Sequence, residues 1–317
     1  MIIKSADDKQ PQLETLQALA ATGSIDAATR RRIEQEIRNI RAGMRGEGEA
    51  AYEMQVRYGQ SLNWMVIHDL RLEHDGLVAQ IDHLIINRFL EIWACESKHF
   101  AEGVAINEHG EFAAFFGGKP YGVPSPIEQN NRHILILQRL FDSSTVKLPS
   151  RMGFTIKPTL KGLVLVSKGA RIARPKAKID GLDTIIKNDM LFKAIDKALD
   201  DSSPLLMAKV VGRDTVEHLA RQIAALHRPA EFNWHAKFGL PLVTPKAPDL
   251  PQGGNRVQAA EPQASQHAGN SGAAPNTQKW ACACCGTPVP RNVARFCWFN
   301  KARFSNQIYC LNCQGRY

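Results

Sequence analysis

Two apolar segments in the first third of the chain, residues 80–86 and 90–98, have the length and the branched side chains of buried strands. Side chains alternate between the two faces of a strand, so Glu96 and Lys98 lie on one face, at the end of an apolar row. A hairpin between the two segments brings Asp82 opposite Glu96. The pattern therefore predicts two carboxylates and one amine close together on adjacent strands.

The remaining hydrophobic pattern predicts the elements around this pair. Further strands are expected at residues 64–68, 112–116 and 163–166, and helices at 27 to about 41, at 190–199 and at 214–226. Pro124 and Pro126 precede another expected helix, which carries Ile134, Leu135, Leu137 and Leu140. We expect an α/β fold with a mixed central sheet flanked by helices.

Two carboxylates at the margin of a core repel each other and are costly to desolvate unless a cation lies between them. Mg²⁺ or Mn²⁺ suits such a pair, because these ions prefer oxygen ligands and leave positions open for water and phosphate. Lys98 would lie close enough to orient a water and to stabilise charge on a phosphate. The alternative is a solvated strand end, in which Glu96 and Lys98 form an ordinary surface ion pair.

These two acids and the lysine, together with several neighbouring positions in the same chain order, resemble the nuclease-related domain (NERD) family, a branch of the restriction-endonuclease-like PD-(D/E)xK fold. The resemblance spans residues 46–142. The matching positions are Gly48-Glu49 opening a helix, Gln80-Ile81-Asp82-His83, Glu96-Ser97-Lys98, Pro126 and Gln129-Asn130.

The resemblance implies that Asp82 and Glu96 bind the metal ion and that Lys98 serves the attacking water. It also implies that Glu49 is a helix-borne acid reaching the same metal or its water, and that Gln129 is a polar contact at the rim of the site.

The chain departs from the family at two positions near this site. The family usually has a glycine between the two strands, where this chain has Arg88-Phe89, and a branched residue at the position of Ser97. These departures concern the shape of the hairpin, since the acids and the lysine are present.

Six of the seven cysteines lie at the carboxyl end of the chain. Cys282-x-x-Cys285 and Cys310-x-x-Cys313 have the spacing of two zinc knuckles, which predicts a four-cysteine zinc ribbon that depends on Zn²⁺ for folding. The alternatives are a pair of disulfides or a redox Cys-x-x-Cys. Cys297 is an alternate ligand or a buried thiol, and Cys284 has no assigned role. The segment also resembles a ribbon often appended to bacterial NERD proteins and, more loosely, topoisomerase-type zinc ribbons.

The charge of the chain favours a polyanionic partner. The net charge is +9, and residues 279–317 contain six Lys or Arg and no Asp or Glu. Aromatic residues interleave with these cations and could stack on bases: Trp280, Phe296, Trp298, Phe299, Phe304 and Tyr309. The alternative is that many of these rings form the core of the ribbon and that the cations offset a zinc–thiolate centre.

The amino terminus turns polar at once, and no apolar run approaches the length of about 18 residues that a membrane span requires. We therefore expect a soluble, cytoplasmic protein, in which thiols bind metal rather than pair.

The composition of the chain, together with the family resemblance, indicates five regions. They are an N-terminal helical region (1–43), a NERD nuclease-like core (44–142), an α/β continuation (143–243), a flexible linker (244–279) and the zinc ribbon (280–317).

The favoured hypothesis is a metal-dependent nuclease that hydrolyses DNA phosphodiester bonds, with the ribbon assisting nucleic-acid binding. It could act as a homodimer, as many nucleases of this fold do. The alternative is a non-catalytic nucleic-acid-binding protein that uses the endonuclease-like fold as a scaffold, and a weaker third hypothesis is a protein-interaction adaptor.

Overall fold

A computed structural model describes residues 1–23, 25–202, 208–241, 280–289, 293–294, 297, 304 and 307–314. The chain divides into two compact units, Met1–Lys246 and Ala247–Tyr317. The expected linker, residues 244–279, lies outside the described residues.

The described part of the first unit contains twelve strands and six α-helices. In chain order, the strands are β1 (Ile2–Lys4), β2 (Trp64–His74), β3 (Leu77–Asn87), β4 (Glu91–Lys98), β5 (Val104–Ile106), β6 (Phe112–Phe116), β7 (Lys119–Val123), β8 (Ser150–Arg151), β9 (Phe154–Thr155), β10 (Thr159–Val166), β11 (Ile172–Ala173) and β12 (Ile185–Lys187). The helices are α1 (Gln10–Ala21), α2 (Ala27–Tyr58), α3 (Pro126–Asp142), α4 (Leu191–Asp200), α5 (Arg213–Ala225) and α6 (Trp234–Phe238). No helix in the described part of the chain is both long enough and apolar enough to cross a membrane.

A mixed six-stranded sheet forms the centre of this unit, with the strand order β1-β2-β3-β4-β10-β12. Strands β2, β3 and β4 are antiparallel neighbours, whereas β1 runs parallel to β2, β10 to β4 and β12 to β10. The predicted α/β fold with a mixed central sheet flanked by helices is confirmed.

The two faces of the central sheet pack against different helices. Leu84 and Ile92 lie in a buried cluster with residues of α3 and α5, whereas Ile85 and Trp93 lie in a second cluster with residues of α2 and α4. Because both faces are covered, residues 84–86 of β3 and 92–95 of β4 are apolar on both sides.

Helix α2 is longer than the sequence suggests. The pattern indicates one helix ending near residue 41 and another opening at Gly48-Glu49, but α2 runs unbroken from Ala27 to Tyr58. Gly46 is buried at the point where α2 passes the end of β4, and a β-carbon there would lie 3.1 Å from His99 Cβ. The close approach favours glycine, because a side chain there would need His99 to shift. Packing of the following apolar residues offsets the ~1 kcal/mol that a helical glycine costs.

The turn between β3 and β4 forms without the glycine that the family usually has there. The Asn87 side-chain oxygen accepts hydrogen bonds from the backbone N–H groups of Phe89 (3.0 Å) and Glu91 (3.1 Å). Leu90 takes the left-handed conformation, with φ of 56°. The asparagine therefore organises the turn that a glycine would otherwise permit.

Asn130 attaches helix α3 to the central sheet. Its Nδ2 donates to the backbone carbonyls of Ala94 (2.9 Å) on β4 and Leu163 (3.2 Å) on β10. Gly162 faces this side chain, and a β-carbon there would lie 2.9 Å from Asn130 Nδ2. These contacts fix the height of α3 above the end of β4.

Replacing Asn130 with Ala should lower the free energy of unfolding by about 1–3 kcal/mol, because two buried carbonyls lose their donor. Asn131→Ala is the matched control, since Asn131 is exposed on the same helix and should change stability by no more than about 0.5 kcal/mol. Urea unfolding followed by circular dichroism measures both. Equal effects of the two substitutions would contradict the role given to Asn130.

Candidate active site and cysteine cluster

Asp82 and Glu96 lie on neighbouring strands at the end of an antiparallel ladder. His83 pairs with Cys95 in the register of β3 and β4, so the next position along places Asp82 beside Glu96. Asp82 Oδ2 accepts a hydrogen bond from the Ser97 backbone N–H at 2.7 Å. The hairpin thus brings the two acids together in the arrangement that strand alternation predicts.

The two carboxylates share an unfavourable electrostatic environment. The pKa of Asp82 is raised well above its usual value, first by burial and then by the negative charges of Glu96 and Glu47. Burial also raises the pKa of Glu96, although Lys98 opposes the shift. Within the described part of the chain, Glu96 Oε2 is buried without a hydrogen-bond partner. A proton or a cation is needed to relieve this pair.

Lys98 is held between strand and helix. Its Nζ donates to Glu96 Oε1 at 2.7 Å and to Gln129 Oε1 at 3.0 Å. Gln129 lies in the first turn of α3, whose start is fixed by Ser125, which accepts a hydrogen bond from the Glu128 N–H, and by Pro126. The structure therefore brings Lys98, Glu96 and Gln129 together.

Glu49 does not join this group of contacts. Its Oε2 accepts a long hydrogen bond of 3.4 Å from Asn188 Nδ2. The acid of α2 that contributes to the pKa shifts of both Asp82 and Glu96 is Glu47. Residues two apart on a helix point in very different directions, so only one of the two glutamates can face the site. The sequence contains both Gly46-Glu47 and Gly48-Glu49, and no local pattern distinguishes them.

Glu47 is itself paired with a residue from outside the predicted core. Lys9 Nζ lies 2.6 Å from Glu47 Oε2. Both residues line a cavity of about 430 Å³, which Asp69 and Gln80 also border. This cavity lies beside the strand that carries Asp82.

His133 is a residue of the site that the sequence analysis missed. It lies one turn after Gln129 on α3, and its Nδ1 is 3.6 Å from Glu96 Oε2. Burial, followed by the charges of Lys98 and Arg132, lowers the pKa of His133 to about 4. The spacing of four residues from Gln129 was a usable indication, because residues i and i+4 share a helix face.

A pair of histidines supports the hairpin from the opposite face. The Nδ1 atoms of His68 and His83 are 2.7 Å apart, and His83 Nε2 lies 3.1 Å from Ser97 Oγ. His83 is thus a hydrogen-bonded core histidine. It contacts the same Ser97 whose backbone N–H binds Asp82.

Four cysteines of the second unit form a separate cluster. The sulfur atoms of Cys282, Cys285, Cys310 and Cys313 all lie within 4.8 Å of one another. The Sγ atoms of Cys285 and Cys310 are 3.6 Å apart, close to the roughly 3.8 Å expected between ligands of a tetrahedral ion with Zn–S bonds of about 2.3 Å. These four cysteines can hold a zinc ion.

Cys297 lies outside this cluster. It is buried, and its sulfur accepts hydrogen bonds from the Tyr309 N–H (3.4 Å) and from Gln314 Nε2 (3.2 Å). Cys284 is exposed.

Two of the predicted stacking aromatics belong to the core of the second unit. Phe304 and Tyr309 are buried among Val289, Cys297 and neighbouring residues. Phe296, Trp298 and Phe299 lie outside the described residues. For Phe304 and Tyr309, the structure favours the alternative of a core role.

Comparison with protein families matches residues 42–164 to the model of the nuclease-related domain. This part of the chain is similar to a nuclease-related domain. The match begins within α2, ends within β10 and includes Asp82, Glu96, Lys98, Gln129 and His133. No curated protein and no solved structure matches the chain.

Asp82→Asn in the nuclease-related domain should raise the melting temperature of the protein at pH 8 in the presence of a chelator. The folded-state pKa of Asp82 is raised, so its ionised form destabilises the fold above that pKa, and asparagine carries no charge. The difference in melting temperature between the variant and wild type should become smaller as the pH falls and Asp82 becomes protonated in the folded protein. Thermal unfolding from pH 8 to pH 5 measures it.

Asp75→Asn is the control, because Asp75 is exposed in the β2–β3 turn. If Asp82→Asn melts below wild type at pH 8, the hydrogen bond from Ser97 outweighs the repulsion, and the electrostatic account is wrong.

The double substitution of Cys282 and Cys285 with Ser should remove about one zinc per chain, because two of four thiolate ligands are lost. Elemental analysis of purified protein measures the zinc content. Cys284→Ser is a matched control from the same turn and should keep its zinc. Zinc retained by the double variant, or lost in the control, would contradict the ligand assignment.

Proposed function

We propose that the chain is a metal-dependent nuclease that hydrolyses phosphodiester bonds in DNA. The observation that carries the proposal is that Asp82 and Glu96 directly follow the last paired residues, His83 and Cys95, on adjacent strands, with the Lys98 amine 2.7 Å from Glu96. The match to a nuclease-related domain over residues that include all three supports this chemistry.

The residues of the site fit a hard divalent cation such as Mg²⁺ or Mn²⁺. Asp82 and Glu96 supply carboxylate oxygens, and Glu96 Oε2 is buried without a hydrogen-bond partner within the described structure. When bound, the ion supplies Lewis-acid chemistry, activating water and stabilising negative charge on a phosphate. The positive charge would also relieve the repulsion that raises the pKa of both acids.

Lys98 orients water and stabilises charge on the phosphate. Its amine is fixed by Glu96 and Gln129 and retains a third N–H for a substrate oxygen or a water. An ammonium that is already in position needs little reorganisation as charge develops. Gln129 acts through Lys98 and is a positioning residue.

The third acid of the site is better assigned to Glu47 than to Glu49. Glu47 contributes to the electrostatics of both Asp82 and Glu96, whereas Glu49 contacts Asn188. Lys9 neutralises Glu47 and keeps it turned toward the cavity.

DNA would approach the site along a basic loop. Residues 168–178 contain five Lys or Arg and no acid. The loop starts beside Lys98, because the Ser167 N–H donates to the Lys98 carbonyl at 3.3 Å. Cations at this place attract a phosphate backbone. The zinc ribbon would add a second contact and raise the local concentration of substrate.

The activity test compares wild type, Glu96→Gln and Lys98→Ala on plasmid and linear DNA, with Mg²⁺ or Mn²⁺ and with a chelator. Wild type should cut only with metal. Glu96→Gln should lose metal-dependent cutting, and Lys98→Ala should slow it by roughly 10²–10³-fold.

Lys161→Ala is the matched control. Lys161 lies 2.6 Å from buried Glu91 at the other end of β4, and its side chain is 26% exposed, against 28% for Lys98. The control removes the same kind of ion pair and should keep its activity below its melting temperature. If wild type binds DNA in a salt-dependent way but does not cut it, the non-catalytic binding protein is the correct function.

A further inference from the structure

The gap between helix α3 and the end of β4 contains two polar atoms that face each other without a hydrogen bond. His133 Nδ1 and Glu96 Oε2 are 3.6 Å apart, which is too long for a hydrogen bond. Each is buried and has no hydrogen-bond partner within the described structure. The side chains are 10% and 3% exposed, so bulk water does not solvate them freely.

Two such atoms are costly unless something binds both of them. A buried polar atom without a partner costs about 1–3 kcal/mol, and more when it is charged. Glu96 already uses Oε1 for Lys98, so only Oε2 is left to face the gap. The imidazole is held in place because α3 is attached to the sheet through Asn130.

We propose that His133 Nδ1 and Glu96 Oε2 bind the same divalent ion. This rests on the proposed function, because the ion is the one assigned to Asp82 and Glu96. Adjacent ligands of an octahedral ion with bonds of about 2.1 Å are roughly 3 Å apart, so a small side-chain movement would bring both atoms within bonding distance. The neutral imidazole would carry its proton on Nε2 and offer the Nδ1 lone pair to the ion.

The nitrogen ligand sets the metal preference of the site. Carboxylates alone suit Mg²⁺, whereas an imidazole favours transition metals, and Mn²⁺ accepts both kinds of donor. The site should therefore bind Mn²⁺ more tightly than Mg²⁺, and His133 should be the cause of the difference.

The test uses zinc-loaded full-length protein without a polyhistidine tag and compares wild type, His133→Asn, Glu96→Gln and the exposed control His109→Gln. Calorimetry measures the affinities for Mn²⁺ and Mg²⁺. Electron spin echo envelope modulation of bound Mn²⁺ detects a directly coordinated ¹⁴N, and this measurement does not depend on activity.

We expect a nitrogen coupling in wild type and in His109→Gln that is absent in His133→Asn. His133→Asn should lose about tenfold or more in Mn²⁺ affinity and much less in Mg²⁺ affinity. Mn²⁺ binding that needs Glu96 but shows no nitrogen coupling and no change in His133→Asn would overturn the inference and leave the proposed function standing. Failure of wild type to bind either ion would overturn both.

Discussion

The candidate site depends on the register of one hairpin. Successive residues of a strand face opposite sides, so a slip of one position between β3 and β4 would leave Asp82 and Glu96 on different faces of the sheet. Asn87 fixes the register at the turn, and the Ser97 N–H fixes it at the other end by binding Asp82. Packing on both faces of the sheet stabilises the same register. A hairpin shifted by one residue would move apolar side chains of each buried cluster to the opposite face.

Glu96, near the end of β4, can be compared with a second glutamate on the same strand. Glu91 and Glu96 are both buried glutamates on this strand, and each binds a lysine. Glu91 has both oxygens satisfied, Oε1 by Lys161 at 2.6 Å and Oε2 by Asn87 at 3.0 Å. Glu96 has only Oε1 satisfied. The fold is thus able to saturate a buried carboxylate with its own side chains, and it does so where the acid has a structural role. The open oxygen of Glu96 therefore supports the proposed metal ion.

The residues of the candidate site that lie on strands could be placed from the sequence, because side chains alternate between the two faces of a strand. Asp82, Glu96 and Lys98 follow from the period of two residues and one hairpin, and Cys282 to Cys313 from the spacing of the knuckles. Strand alternation could not place Glu47 or His133, although the spacing of His133 from Gln129 on α3 gave an indication for the histidine. Which helical residue faces a strand depends on the rotation and height of the helix, and the close approach of Gly46 to His99 is one of the contacts that position α2. That contact joins positions far apart in sequence, and periodicity carries no information about it.

The first 41 residues lie outside the family match but are part of the same structure. Strand β1 covers the edge of β2, which would otherwise offer unpaired backbone groups for association. The Met1 amino group binds the carbonyls of Tyr58 and Trp64, and Lys9 pairs with Glu47. A domain cut at residue 42 would divide α2 in the middle and leave Glu47 without its cation, next to two acids that already repel each other. The N-terminal region therefore contributes to the charge balance of the candidate site, and the structural unit that contains this site includes residues that precede the matched segment.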